Sequence, residues 1–86
     1  MKIKFSSSCI KITFEEGEAF SNRLLLMNGE ALENGFDADA STMKWLPPFD
    51  SEAIDEKTKN RIKQLITIRN ETHSFKVLFM GEGNYV

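Results

Sequence analysis

Few side chains in this 86-residue sequence are of the types that perform catalysis or bind metals. His73 is the single histidine, and only Glu71 stands near it at a spacing that suits a metal site or a catalytic triad. Cys9 is the single cysteine, and it has no neighbouring histidine that would activate it as a nucleophile. Asp37 and Asp39 share one face of an extended segment, where solvated surface charges are the expected role. These patterns predict no catalytic residue, no metal site and no cofactor, so the protein is not expected to be an enzyme.

Length and composition narrow the classes of function further. A chain of 86 residues predicts one domain, spanning 1–86, and at this size folding buries only about 60–65% of the unfolded surface. Little room is left for a large internal cofactor. The sequence also lacks glycine-rich phosphate-binding patterns, cysteine pairs, a signal peptide and any apolar run long enough to cross a bilayer. We therefore expect a cytoplasmic protein that does not enter a membrane.

The charges are distributed unevenly along the chain. The formal net charge is −2, which does not favour tight, non-specific binding to nucleic acid. Residues 1–14 contain three lysines and no acid, whereas residues 15–39 contain seven acids against Arg23 alone, a net charge of −6. The middle of the chain is therefore its acidic part.

Alternating apolar residues predict antiparallel strands in the first half of the chain. Residues 9–14 show the period-two pattern of a half-buried strand. A second strand is expected to follow, with Leu24 and Leu26 on its buried face. Asn28-Gly29 predicts a tight hairpin turn, and Asn34-Gly35 a second one, with a very short strand between them.

The second half changes character at Pro47-Pro48, which ends the sheet. Helical spacing of apolar residues predicts one amphipathic helix over residues 55–69 and a final strand over 74–80. Asp55 is the expected N-cap, although Ser51 could cap an earlier start. The tail, residues 81–86, is expected to fray. The predicted fold is α+β: an antiparallel β-meander with one helix packed on one face and a final strand after the helix. The predicted core comprises Ile10, Ile12, Phe14, Leu24, Leu26, Ile62, Leu65, Ile66, Phe75, Val77 and Phe79.

The most distinctive pattern surrounds Trp45, where Trp-x-Pro-Pro-x-Asp is followed by Ile-Asp-Glu-Lys at the start of the predicted helix. We expect Trp45 to fill one end of the sheet and Pro48 and Phe49 to set the angle at which the chain enters the helix. Over about residues 10–68 the sequence resembles small immunity proteins of bacterial polymorphic toxin systems, which accompany toxins of the contact-dependent growth inhibition kind. The matching segments are Asn28-Gly29-Glu30-Ala31-Leu32, Gly35-Phe36 with Asp39, Met43 to Asp50, Ile54 to Lys57 and Arg61-Ile62.

The resemblance implies a protein that binds its cognate toxin C-terminal domain in the cytoplasm and blocks the toxin's active site or substrate surface without catalysis. Toxins that cut nucleic acid present basic clefts, and an acidic strip could occupy such a cleft. We therefore predict a partner-binding surface at the turn end of the sheet, joined by the residues after Pro48 if that segment folds beside it. Its predicted residues are Glu30, Glu33, Asp37, Asp39, Asp50 and Glu52.

Other interpretations fit the same residues. The acids could simply keep turns soluble and protect strand edges. The predicted helix is basic, which also fits a small nucleic-acid-binding regulator, although its cations do not form one stripe. A subunit that adds a strand or helix to a larger complex is a third possibility. The basic residues of the helix are Lys57, Lys59, Arg61, Lys63 and Arg69.

Overall fold

Six strands and one α-helix follow one another along residues 1–80, the residues that the computed structural model describes. The predicted fraying of residues 81–86 lies outside this range. A single turn of 3₁₀ helix, Ala40–Thr42, joins the fourth strand to the fifth. The other elements are β1 (Lys2–Phe5), β2 (Cys9–Thr13), β3 (Leu24–Leu32), β4 (Gly35–Ala38), β5 (Lys44–Trp45), α1 (Glu56–Asn70) and β6 (Lys76–Phe79).

The strands form one curled sheet in the order β1-β2-β3-β4-β6, with β5 paired to the first half of β3. This confirms the α+β class, the single helix and the final strand. The sheet is mixed, however, because β6 pairs with β4 in parallel, with Phe36 opposite Val77. Helix α1 makes this possible, since it carries the chain back along the sheet before β6 begins.

One face of the sheet packs against α1 and forms the core, and we call the opposite face the open face. Ile10, Ile12 and Phe14 are buried as predicted, because β2 alternates strictly between the two faces. Helix α1 contributes Ile62 and Ile66, which are fully buried. The remaining buried residues are Leu25, Met27, Phe36, Ala38, Met43, Trp45, Val77 and Phe79.

Strand β3 faces the core with the opposite set of side chains from the predicted one. Leu25 is fully buried, whereas Leu24 and Leu26 are half-buried on the open face. The connection before β3 is a loop rather than a tight turn, and Phe20 and Asn22 adopt the left-handed conformation there (φ 59° and 63°). The loop therefore breaks the alternation of buried and exposed side chains between β2 and β3. A shift of the alternation by one residue moves every side chain of a strand to the opposite face of the sheet.

The predicted hairpin turn at Asn28-Gly29 is wrong, because β3 runs straight through both residues. A Cβ atom on Gly29 would collide with the carbonyl oxygen of Asp37 and the ring of Phe36. Glycine is therefore needed here for the close approach of β3 and β4. The chain reverses later, at Glu33 and Asn34, one residue before the predicted Asn34-Gly35 turn, because Gly35 already pairs with Leu32 in β4. The short strand predicted after Gly29 is therefore the second half of β3.

Helix α1 begins where the sequence predicts, with Asp55 as its N-cap. The carboxylate of Asp55 accepts a hydrogen bond from the backbone N–H of Thr58 at 2.8 Å. Hydrogen bonds from the hydroxyl group and the backbone of Thr58 lower the pKa of Asp55. A cap of this kind satisfies a backbone donor that has no partner within the helix.

We predict that Asp55→Ala lowers the Tm by several degrees at pH 7, whereas Asp55→Asn, which keeps the capping oxygen, has a smaller effect. Because the folded-state pKa of Asp55 is lowered, its contribution is complete above the unfolded-state pKa of about 4 and is lost as the pH falls through the folded-state value. Thermal unfolding at pH 7 and pH 3 should show less acid sensitivity in Asp55→Asn than in the wild type. Equal acid sensitivity in the two proteins would contradict this role.

The last residue of α1 covers the outer edge of the sheet at β6. The Asn70 side chain donates to the carbonyl oxygen of Val77 at 2.7 Å and accepts from the Val77 N–H at 3.0 Å. One amide thus satisfies the two backbone groups of Val77 that point away from β4. This contact protects an edge strand that would otherwise be free to pair.

Asn70→Asp is expected to destabilise the fold by about 1–3 kcal/mol, because a carboxylate oxygen would replace the donor that faces the Val77 carbonyl. The exposed Asn60 lies on the same helix and provides a control, since Asn60→Asp makes the same change of charge. Urea unfolding of both variants measures the difference. Similar losses in both would show that the amide of Asn70 has no special role.

Candidate partner-binding surface

The hairpin of β3 and β4 brings three of the predicted acids together. Glu30 lies directly opposite Asp37 in the strand register, and Glu33 lies in the turn that joins the strands. Asp37 alternates with buried neighbours and so belongs to the open face with Glu30. Glu30 and Glu33 are exposed and Asp37 is half-buried. The exposed carboxylates of this acidic hairpin, Glu30–Asp37, offer a negative surface to a cationic partner.

The other three predicted acids have different surroundings. Asp39 caps the 3₁₀ turn, where its carboxylate accepts from the backbone N–H of Ser41 at 3.1 Å and from its hydroxyl at 2.6 Å. Glu52 accepts from Arg23 at 2.9 Å. Arg23 precedes β3, at the end of the strand opposite to the acidic hairpin, and the exposed Asp50 lies two residues before Glu52. The structure therefore does not bring Asp50 and Glu52 beside the hairpin acids.

Residues 45–49, Trp-Leu-Pro-Pro-Phe, lie at the end of the sheet near Arg23. Trp45 is buried and packs edge-on against Phe14, with ring centroids 6.2 Å apart. The guanidinium of Arg23 lies 5.1 Å from the Trp45 ring and 4.0 Å from the Phe49 ring. The peptide bond between Pro47 and Pro48 is cis. These contacts give the motif a structural role, at the junction between the sheet and the helix.

His73 and Cys9 occupy positions with simple structural contacts. The Nδ1 atom of the exposed His73 lies 2.9 Å from the carbonyl oxygen of Arg69, at the C-terminal end of α1. The Sγ atom of Cys9 lies 3.1 Å from the hydroxyl of Ser6, across the turn between β1 and β2. Neither residue has a neighbour that would form a triad within residues 1–80.

Sequence reasoning missed a group of lysines on the open face of the sheet. The registers place four residues in one row across β1, β2, β3 and β5, namely Lys4, Lys11, Leu26 and Lys44. Lys2 lies on the same face, and all four lysines are exposed. The sequence indicates part of this group, since residues 1–14 contain three lysines and no acid. Lys44 joins them only through the pairing of β5 with β3.

A shallow depression of about 330 Å³ lies at this row. It is lined by Lys4, Phe5, Ser6, Cys9, Lys11 and Leu26. The open face thus has a basic region on β1, β2 and β5 and an acidic region on the β3–β4 hairpin. Two regions of opposite charge on one surface suit contacts with another macromolecule better than the binding of a small substrate.

The class of this molecule follows from its similarity to one protein family. Residues 2–80 match the family described as Immunity protein 74. The chain belongs to the Immunity protein 74 family. No curated protein and no solved structure matches it.

Membership of the Immunity protein 74 family confirms the resemblance to immunity proteins of toxin systems. Immunity proteins neutralise toxins, so the partner of this chain is, in general terms, a toxin, and such families are generally non-enzymatic. The match covers every strand and the helix described above, including both charged regions of the open face.

In this Immunity protein 74 chain, the basic residues of α1 are partly engaged with their own helix and its surroundings. Lys59 lies 3.6 Å from Glu56, and Arg69 donates to the carbonyl oxygen of Phe75 at 3.3 Å. Lys57 and Arg61 are exposed. At least two of the five basic side chains of α1 are therefore engaged within the fold.

Residues 1–80 contain neither a cluster of metal ligands nor a helix of the membrane-spanning kind. No group of three or more His, Cys, Asp or Glu side chains lies close enough to hold a metal ion in this part of the chain. None of its helices has the length and apolarity that crossing a bilayer requires.

Proposed function

We propose that this protein neutralises the C-terminal toxin domain of a polymorphic, contact-dependent growth inhibition toxin by direct binding in the cytoplasm of the producing cell. The acidic hairpin occupies the toxin's active site or the surface that it uses for substrate. The toxin class with which this surface fits best is a nuclease, because enzymes that cut nucleic acid hold phosphates in basic clefts. No bond is made or broken by the immunity protein.

The observation that carries this proposal is the pairing of Glu30 with Asp37 beside Glu33. Three acids within one hairpin form a narrow negative projection, and the segment from 15 to 39 has a net charge of −6. Such a projection steers association with a basic cleft and supplies charge-assisted hydrogen bonds. Asp39 flanks it and Asp50 and Glu52 lie apart, so we place the main contact at the hairpin.

The experiment is co-expression of this protein with the toxin domain encoded by the neighbouring upstream gene. We expect the immunity protein to restore growth and to co-purify with the toxin domain as a stable complex. A toxin domain from an unrelated system serves as the specificity control and should be neither bound nor neutralised.

Continued killing in the presence of well-expressed, folded immunity protein would contradict the proposal. If the purified protein instead bound nucleic acid, with an affinity that falls steeply with salt and is lost in Lys59→Glu with Lys63→Glu, the regulator interpretation would replace it.

A further inference from the structure

The sheet ends in two edge strands, β1 and β6, and residues 1–80 cover these two edges differently. At β6, the side chain of Asn70 satisfies the outward N–H and C=O of Val77. Within residues 1–80, strand β1 pairs with β2 on its inner side and with no other strand. We call the outer side of β1 (Lys2–Phe5) the β1 edge.

The register identifies the backbone groups that the β1 edge presents. The N–H of Ser6 donates to the carbonyl oxygen of Cys9 at 2.9 Å, across the turn between β1 and β2. In an antiparallel strand, every second residue bonds to the same neighbouring strand. Lys4, two residues before Ser6, therefore also bonds to β2. The N–H and C=O groups of Ile3 and Phe5 point away from β2. Within residues 1–80, no other segment makes a backbone hydrogen bond to these groups.

The charges beside the β1 edge specify what it could accept. Lys4 lies directly opposite Lys11, a like-charge pair that destabilises the sheet when it is unpartnered. Lys2, Lys4, Lys11 and Lys44 form no ion pair with any described residue. Negative side chains laid along this edge would relieve the repulsion.

The other face of the same strand presents an aromatic ring. Phe5 is 36% exposed although it packs against Phe75, with ring centroids 4.6 Å apart. A strand added to β1 would therefore meet lysines on one face and Phe5 on the other. Because side chains alternate between faces, the complementary sequence alternates acidic with apolar residues.

We propose that the β1 edge binds an extended segment of the toxin domain in which acidic residues alternate with apolar ones, adding a strand to the sheet. The inference rests on the proposed function only for the source of that segment. A second copy of this chain fits the edge poorly, because antiparallel pairing of two β1 strands places lysines beside lysines. The β1 edge and the acidic hairpin would then form two separate contacts with one partner.

Amide hydrogen exchange by NMR on the complex of the full chain with its toxin domain tests this inference. We expect the amides of Ile3 and Phe5 to exchange at least about 10-fold more slowly in the complex than in the free protein, because a partner strand would bond them. Lys4→Glu should weaken the complex at least about 10-fold, since it places an acid against the acidic segment. The same variant should have an equal or higher Tm, since it replaces a Lys–Lys pair by a Glu–Lys pair.

Lys57→Glu is the matched control, because it makes the same change of charge at an exposed position on α1. Equal weakening by Lys57→Glu would assign the effect to net charge and overturn the inference. A complex in which Ile3 and Phe5 exchange as fast as in the free protein would overturn the inference and leave the proposed function intact. Absence of any complex would overturn both, and protection that grows with the concentration of the free chain would identify a second copy as the occupant.

Discussion

Gly29→Ala is expected to destabilise the protein by about 3 kcal/mol, at the upper end of what overpacking costs. The added Cβ meets the backbone oxygen of Asp37 and the ring of Phe36, and a strand backbone or a buried ring does not shift at little cost. Phe36 is fully buried in the core, and Asp37 lies in the strand that pairs with β3. Urea unfolding measures the loss directly.

The variant Gly29→Asn distinguishes a close approach of two strands at Gly29 from a hairpin turn there. If Gly29 occupied a hairpin turn with positive φ, Gly29→Asn would be tolerated far better than Gly29→Ala, because asparagine adopts the left-handed conformation readily. In a close approach of two strands, both variants carry a Cβ and both are damaging. Gly17 is the control, with φ at 86° and open space around its Cα, so there Asn should be milder than Ala. A tolerated Gly29→Asn would contradict the observed strand.

The double variant Glu30→Lys with Glu33→Lys is expected to weaken binding of the toxin domain at least about 100-fold, since like charges across an interface cost several kcal/mol. Both side chains are exposed, and substitutions at exposed positions usually change stability little, so the fold should keep its stability. Surface plasmon resonance or calorimetry gives the affinity. Wild-type association should also slow as ionic strength rises, because the hairpin charges are exposed.

The matched control is Glu16→Lys with Glu71→Lys, two exposed acids outside the hairpin. This pair makes the same change of net charge and should alter the affinity only slightly. If both double variants weakened binding alike, the hairpin would have no special part in the contact.

The sequence predicts those parts of the fold that depend on local patterns. The alternation at Ile10, Ile12 and Phe14 is decided within one strand, and Asp55 caps the helix through a contact only three residues away. The face of β3 was predicted wrongly because it depends on the shape of the loop before it. The parallel pairing of β6 with β4 depends on where α1 returns the chain, which no local pattern records.

The residues of the candidate site likewise differ in whether the local sequence predicts their neighbours. Glu30, Glu33 and Asp37 come together because the hairpin that joins them is short. Glu52 instead pairs with Arg23, which is 29 residues away in the sequence, so its partner could be identified only from the folded chain. The lysine row crosses four strands and also depends on registers that the sequence leaves open.

The claim that this protein works by occupying a toxin is tested most directly by a titration of purified toxin-domain activity. Increasing amounts of immunity protein are added to a fixed amount of toxin, and the remaining activity is measured. A binding protein predicts a linear fall that reaches zero at about one equivalent. Complete inactivation by a small fraction of an equivalent, progressing with time and abolished by His73→Ala or Cys9→Ala, would show turnover and contradict the account.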